Sequence, residues 1–342
     1  MQELGFRSRR ILYAVVTEYI ATGEPVGSRK LARRYGLDVS PATIRNELAD
    51  LEESGYLAQP HTSAGRIPTD RGFRCFVDAL VRVREVQPGD RNMLFERLSR
   101  LTPGVDDLPR ETGRLLSHLT GAAAVVHTPP ATDQHVAQLR WIRLRPGQLL
   151  AVVVTRSGAI ENRVVNVEHE PDAPELERLH NYLESLLGQR TLSELRALVA
   201  RAAETERSAL AARASAMVEA TASAATSSRE VLIEGQQRLL GQPDFASVDK
   251  MRSVLSALGE RERLLELLDR TMASGGVQVL IGAETQLLDG QDLSLISATY
   301  GQLGRGTGTL AVIGPTRIDY QKVIPLVSCA ANLLTDLLEK GN

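Results

Sequence analysis

The sequence predicts an α+β chain with an N-terminal winged helix-turn-helix, followed by an antiparallel sheet domain split by a mainly helical inserted domain. Three observations predict it. A cleanly capped amphipathic segment, SPATIRNEL at 40–48, is followed by a short polar hairpin, PHTSAGRIPT at 60–69. Two further helical stripes precede it at the spacing of a small three-helix unit. Beyond residue 110, strand-like and helix-like runs come in blocks, a pattern that suggests an antiparallel sheet with helices on one side.

In the first helix Ile11, Leu12, Val15, Val16, Tyr19 and Ile20 form one broad apolar stripe, as in a helix packed on a small core. After the turn TGEPVGS, 22–28, Ser28 is placed to cap a second short helix. Its Leu31, Ala32 and Tyr35 face inward, Arg29, Lys30, Arg33 and Arg34 face solvent, and Gly36 ends it. The turn GLDV leads to Ser40, a preferred N-cap, and to Pro41, which suits a first helical position where no amide donor is needed. Ile44, Leu48 and Leu51 then make one apolar stripe that stops at Gly55, so Ala42, Thr43, Arg45, Asn46 and Ala49 lie on the flanks or the opposite face. That face suits a major groove. Arg can make two bonds to guanine, Asn two to adenine, Thr can bond or touch a thymine methyl, and Ala lets the backbone come close.

A small three-helix unit built only for packing would show similar stripes. The hairpin argues further: residues 56–58 read as a short strand, Pro60 and Gly65 bracket a polar tip, and Arg66 with Ile67 begins the return. His61, Thr62, Ser63 and Arg66 offer donors to phosphates or a minor groove, where the plainer alternative is a polar surface loop.

The segments TGEPVGS, SPATIRNEL and PHTSAGRIPTDRGFRCFVD (60–78), with VLIGAE (279–284) and GTLAVIGPTRIDYQKVI (308–324) near the other end, resemble the HrcA family of heat-inducible transcription repressors. Departures are core-like: Phe73, Cys75 and Phe76 stand where relatives often carry tyrosine, and Leu48 and Ile318 where methionine is common. The resemblance implies a GAF-like sheet domain split by an insert, and an inverted-repeat operator (the CIRCE element) upstream of chaperone operons such as grpE-dnaK and groES-groEL. It also implies repression relieved by heat and supported by the GroEL chaperonin. The middle, roughly 190 to 272, carries no such motif.

Composition fits a cytoplasmic regulator. The 342 residues allow two or three domains, and 43% hydrophobic with 24% charged residues is ordinary for globular chains. Net charge is −2, yet residues 1–84 hold 13 Lys/Arg against 10 Asp/Glu, so one copy should bind nonspecific DNA weakly and two linked copies would gain by avidity. Glu47, Asp50, Glu52 and Glu53 come late in the recognition helix, where they can point away from phosphates, while Arg7, Arg9 and Arg10 join the helix-two cations as a basic rim. Cys75 and Cys329 are far apart without metal-ligand spacing and read as buried small residues. The N-terminal segment, interrupted by charges, reads as no signal peptide, and the longest apolar run, 149–154, is too short for a membrane span.

The domains expected are a winged helix-turn-helix at 1–85, a linker and helix at 86–109, the sheet domain at 110–190 and 274–342, and a helical insert at 191–273. Thr69 is placed to cap a helix whose Phe73, Phe76, Val77, Leu80 and Val81 line one face; such a stripe needs cover, from the next domain and from a second copy as the dimerisation surface. TPGVDDLP, 102–109, reads as the linker. Strands are expected at 122–127, 136–144, 149–155 and 161–167, a helix through Leu176, Leu179, Leu183, Leu186 and Leu187, and strands again at 277–282 and 309–313.

No catalytic constellation emerges. GQLGRGTG, 301–308, has the glycines of a phosphate loop but precedes a strand and lacks a Lys-Ser/Thr pair, so it reads as a turn. His61, His118, His127, His135, His169 and His180 show no metal-ligand spacing and read as surface or strand-edge residues. The expectation is therefore a homodimeric repressor of double-stranded DNA, without cofactor, metal or membrane. Its base readers are Thr43, Arg45 and Asn46, with Ala42 beside them; Ser40, Arg66 and the wing residues contact phosphate, and Arg29, Lys30 and Arg33 supply positioning charge. Alternatives are a regulator that senses a small molecule in the sheet domain and an RNA-associated or scaffold protein.

Overall fold

The computed structural model describes residues 4–37, 39–61, 64–80, 86–101, 108–128, 135–156, 160–167, 169–206, 208–225, 231–287, 293–301 and 307–340. Thr62 and Ser63 of the wing tip, Val81, residues 102–107 of the expected linker and 302–306 of the glycine turn lie outside the described residues.

Three helices open the chain, α1 (Phe6–Thr22), α2 (Ser28–Arg34) and α3 (Pro41–Glu53). α1 stops where Gly23 turns left-handed at φ +70° and returns its N–H to Tyr19. Its Ile11, Leu12, Val15 and Val16 are buried, as the stripe requires. Ser28 does not cap α2; it is the first helical residue and is buried, with Gly27 at the N-cap. The reason lies just upstream, where Val26 exchanges two 2.9 Å backbone hydrogen bonds with Arg66 and holds the chain extended to the edge of the helix. A two-stranded hairpin follows, β1 (Leu57–Ala58) against β2 (Ile67–Pro68), antiparallel.

Thr69 caps α4 (Asp70–Leu80), its hydroxyl accepting from the Gly72 amide at 3.2 Å. The stripe assigned to dimerisation needs correction. Phe73, Phe76 and Val77 are buried within this one chain, Phe76 edge-on to Tyr13 at 5.5 Å and Phe73 beside Tyr19 and Tyr320, with Leu80 packed partly buried on the same core. α1 and the sheet domain together supply the cover, so Phe73, Phe76 and Val77 present no free surface to a second copy.

After α5 (Pro88–Leu98), helix α6 (Leu108–Thr120) begins inside the segment read as linker. β3 (Ala123–His127) comes next, then β4 (Val136–Arg145), β5 (Gln148–Thr155) and β6 (Ile160–Asn166), followed by α7 (Ala173–Leu187), α8 (Leu192–Glu206) and α9 (Ala209–Ala225). Then follow β7 (Val231–Glu234), α10 (Gln236–Leu240), α11 (Val248–Gly259), α12 (Arg261–Ser274), β8 (Val277–Ile281), β9 (Leu293–Gly301), β10 (Thr307–Pro315) and α13 (Tyr320–Lys340).

Strands β3 to β10 sort into two antiparallel sheets in a way that moves the expected insert. β7-β3-β10-β9-β8 form one sheet, whereas β4-β5-β6 form another by themselves. Trp141, Ala151, Val153 and Val165 of the second sheet share a closed core with Leu179 and Leu183 of α7, Leu195 and Val199 of α8 and Val218 of α9. The insert is therefore the β4-to-α9 unit, 135–225, rather than 191–273, and beside its three helices it carries a three-stranded sheet. Local periodicity identifies a strand but not its partner, and the four-residue β7 lay hidden in an otherwise helical stretch.

The larger sheet is covered on both faces rather than one. β3 and β10 are buried almost throughout, an apolar run that leaves no side for water. Ala124, Val126, Ile296 and Leu310 face α6, α13 and the N-terminal unit in one continuous core, while Val125, Leu295 and Ala311 face α10, α11 and α12.

Candidate nucleic-acid interface

The site is built on α3. Ser40 sits at its N-cap, its hydroxyl oxygen accepting from the Thr43 amide at 3.1 Å and lying 3.0 Å from the Thr43 hydroxyl. Ile44, Leu48 and Leu51 fix the opposite side in the core. Ala42, Arg45, Asn46 and Ala49 are exposed and Thr43 half-exposed, so the outer face is the one the periodicity placed there. Among the described residues neither Arg45 nor Asn46 has a side-chain partner, which leaves a guanidinium fork and a carboxamide side by side for external hydrogen bonding.

Two of the four acids of α3 are tied back into the protein. Ser8 donates to Glu47 at 2.8 Å, with Arg7 3.7 Å from the same carboxylate, and Arg66 pairs with Glu52 at 2.7 Å. Each link also fixes α3 against a neighbour, α1 in the first case and the hairpin in the second. Asp50 and Glu53 remain exposed.

The cations of α2 divide. Arg29 and Arg33 are exposed and, among the described residues, unpaired. Lys30 and Arg34 both reach Glu18 of α1, at 2.8 Å each, and Tyr35 donates to it at 2.8 Å. Glu18 is fully buried. The Lys30 hydrogen bond, then that of Tyr35 and the two positive charges, hold its carboxyl below the ordinary range against the opposing effect of desolvation. Burial first, and Glu18 second, push the Tyr35 phenol up to about 12. In the sequence Glu18 counts only among the charges that interrupt the N-terminal segment, although it continues the inward spacing of Ile11 and Val15.

At the hairpin, His61 is exposed and its carbonyl accepts from Ala64 at 2.8 Å. Gly65 is required by space: a Cβ there would sit 2.5 Å from the Val26 backbone. Arg66 is turned inward to Glu52, its side chain only 19% exposed and its Nε without a partner among the described residues, so the structure places it at the root of the hairpin. Arg71, which the sequence reading did not single out, stacks on Tyr56 at 4.3 Å and donates to the Ser54 carbonyl at 2.8 Å, closing the C-terminal end of α3.

Other candidates resolve into structure. Gly301 and Thr307 are register partners, so the glycine-rich run joins antiparallel β9 and β10. His127 is buried in β3 and His180 half-buried on α7, which corrects their surface assignment. His180 accepts from the Trp141 amide at 2.9 Å and stacks on its ring; burial, then Arg140, lowers its pKa. Among the described residues no helix is long and apolar enough to cross a membrane.

Residues 106–324 match the family description "HrcA protein C terminal domain". The heat-inducible transcription repressor HrcA of Sorangium cellulosum (strain So ce56) is 50% identical over 99% of both chains. That of Syntrophobacter fumaroxidans (strain DSM 10017 / MPOB) is 40% identical, again over 99% of each, and that of Anaeromyxobacter sp. (strain K) 42% identical over 98% of this chain and 97% of its own. A solved structure described as a hypothetical protein at 2.2 Å superposes with a TM-score of 0.67 at 23% identity, covering 99% of this chain and 100% of that one, a likeness of fold.

Proposed function

The chain belongs to the HrcA family of heat-inducible transcription repressors, a family of regulators and not of enzymes, and from that premise we propose that α3 reads operator DNA in the major groove. The observation that carries this reading is the exposed Arg45 and Asn46, unpaired among the described residues, opposite a fully buried Ile44. Thr43 is the third base reader, and Ala42 keeps the helix close to the bases. Ser40, His61, Thr62 and Ser63 serve phosphate or wing contacts, Arg29 and Arg33 supply free positioning charge, and Lys30 supplies what its pairing with Glu18 leaves. Arg66 contributes mainly by holding the wing to α3.

The repressor acts as a cytoplasmic homodimer on an inverted-repeat operator, the CIRCE element, of chaperone operons such as grpE-dnaK and groES-groEL. Heat relieves it and GroEL supports it. With the α4 stripe buried, the surface that favours pairing is the outer face of β4-β5-β6, where Ile142, Leu150 and Val164 form one cross-strand row and Ile142, Ile160 and Val164 are each more than half exposed. Competition by an inverted-repeat duplex against a scrambled one, with and without GroEL, tests the reading. Equal competition by the two duplexes would refute it.

A small-molecule-sensing regulator is favoured by one feature, the hydroxyls of Ser297 and Thr309, buried in the sheet without hydrogen-bond partners among the described residues. A thermal-shift panel of metabolites tests it, and a stabilising metabolite that also changes operator affinity would support it.

A further inference from the structure

We propose that Arg74 and Arg317 are positioning residues that lock the recognition unit to the sheet domain, and so make the repressor selective for the spacing between its two half-sites. This rests on the reading of the chain as a paired DNA reader.

The two arginines cross the same boundary in opposite directions. Arg74 leaves α4 and enters the sheet domain. Its Nε donates to Glu284 at 3.1 Å, a second guanidinium N–H meets the same carboxylate, and Nη2 also donates to the Val279 carbonyl at 2.6 Å on the outermost strand, β8. Glu284 is itself held, accepting from the Ile281 amide at 3.0 Å across the turn Gly282–Thr285. One helical turn before Arg74, Asp70 accepts from the Ala283 amide at 3.1 Å. Gly282 has φ +51°, and a Cβ on it would collide with the Asp70 carboxylate, so this turn is shaped to receive α4.

Arg317 runs the other way, from the turn between β10 and α13. Its Nε donates to Asp244 at 2.6 Å, and its Nη1 reaches the Ile20 carbonyl, in the last turn of α1, at 3.4 Å. The guanidinium lies against Gly23, the residue that ends α1, with Cζ 3.4 Å from where a Cβ would stand. Asp244 belongs to the short turn Pro243–Phe245 whose Phe245 is buried in the helical layer on the far side of the sheet. Between the two links, Phe73 and Tyr320 pack at 6.0 Å.

Two polar links at separate points with an apolar contact between them leave little freedom for a hinge. α1, α3 and α4 share one core, so fixing α1 and α4 fixes α3. In a dimer whose copies meet elsewhere, the distance and angle between the two recognition helices then depend on this joint. Linked binding is strongest when geometry matches the site and is lost when it does not, so a stiff joint sharpens the dependence on spacing and a loose one blurs it.

The test uses the full-length protein with Arg74→Ala, Arg317→Ala and the double variant. Each is titrated against a single half-site, the inverted repeat, and inverted repeats with the spacer changed by one and two base pairs. The double variant should keep half-site affinity within about twofold, lose about tenfold on the native repeat, and bind altered spacings nearly as well as the native one. Glu284→Gln and Asp244→Asn, which keep size and hydrogen-bonding capacity, should move the same way by less and serve if the alanine variants fold poorly. A wild-type spacing profile in these variants overturns the positioning role, as does an equal loss on half-site and repeat. If the wild type prefers no inverted repeat over a half-site, the reading as a paired DNA reader falls as well.

Discussion

In the N-terminal unit the apolar stripes of α1, α3 and α4 turn inward, and the outward face of α3 carries Arg45 and Asn46, without partners among the described residues. In the insert, Trp141, Ala151 and Val165 turn inward, yet the outward face of β4-β5-β6 still carries Ile142, Leu150, Ile160 and Val164. The first surface leaves hydrogen-bonding capacity unused and the second leaves apolar area unused. A polar ligand satisfies the one, and an apolar protein surface satisfies the other. In the function proposed above the two regions divide reading from pairing, and the joint at Arg74 and Arg317 ties the reading unit to the larger sheet, from which the insert departs between β3 and β7.

The largest effect should come from breaking the proposed pairing face. Ile142→Asp with Val164→Asp places two charges in one cross-strand row and should give a monomer by sedimentation. Operator affinity should fall by about 100-fold or more while half-site affinity is kept, because only the linkage is lost. A variant that remains dimeric would remove this face from the comparison.

Next comes Glu18, which steadies the reading unit from within. Glu18→Ala leaves Lys30, Arg34 and Tyr35 without their shared acceptor and should cost about 2 to 3 kcal/mol, seen as a lower denaturant midpoint at unchanged slope. The carboxyl has a lowered pKa in the folded chain, so its contribution is complete above the ordinary glutamate range and is lost as pH falls through that range toward the folded value. Glu18→Gln should therefore flatten the acid limb of the stability profile. An acid limb as steep as that of the wild type would show that Glu18 adds nothing there.

Arg45→Ala tests the reading face directly. It should cost about 1 to 3 kcal/mol on the operator and relax preference at one base position, because a bidentate contact to a base edge is lost. Base-substituted duplexes measure it; a variant that discriminates every position as the wild type does would take Arg45 out of the groove.

How far the sequence disclosed this division differs between the regions for a physical reason. The reading face was legible because an α-helix places its faces by local spacing alone: Ser40, Pro41, Ile44, Leu48 and Leu51 settle which way Arg45 and Asn46 point. The exposed apolar face of β4-β5-β6 was not, since it depends on which strands join. β3 and β4 follow one another in sequence yet belong to different sheets, and β3 pairs with β7 more than a hundred residues later. Phe73, Phe76 and Val77 were legible as an apolar stripe, but only the tertiary structure shows that Tyr13 and Tyr320 cover it. Glu18 lay in plain spacing and was missed because a charged residue on an apolar face is read as an interruption until its three partners are seen.

The smallest effect separates the cations of α2 from one another. Arg33 is exposed and, among the described residues, unpaired, whereas Arg34 is bound to Glu18. A free arginine that meets a phosphate releases about one counterion, so Arg33→Ala should weaken all duplexes alike by less than Arg45→Ala does on the operator, and reduce the salt slope by about one. Arg34→Ala should lower stability with a smaller change in slope, since its charge is already committed inside the protein. Titrations at four salt concentrations distinguish them. Equal slope changes in the two variants would mean that Arg34 leaves Glu18 when DNA binds, and that pairing within the unit does not decide which cations face the duplex.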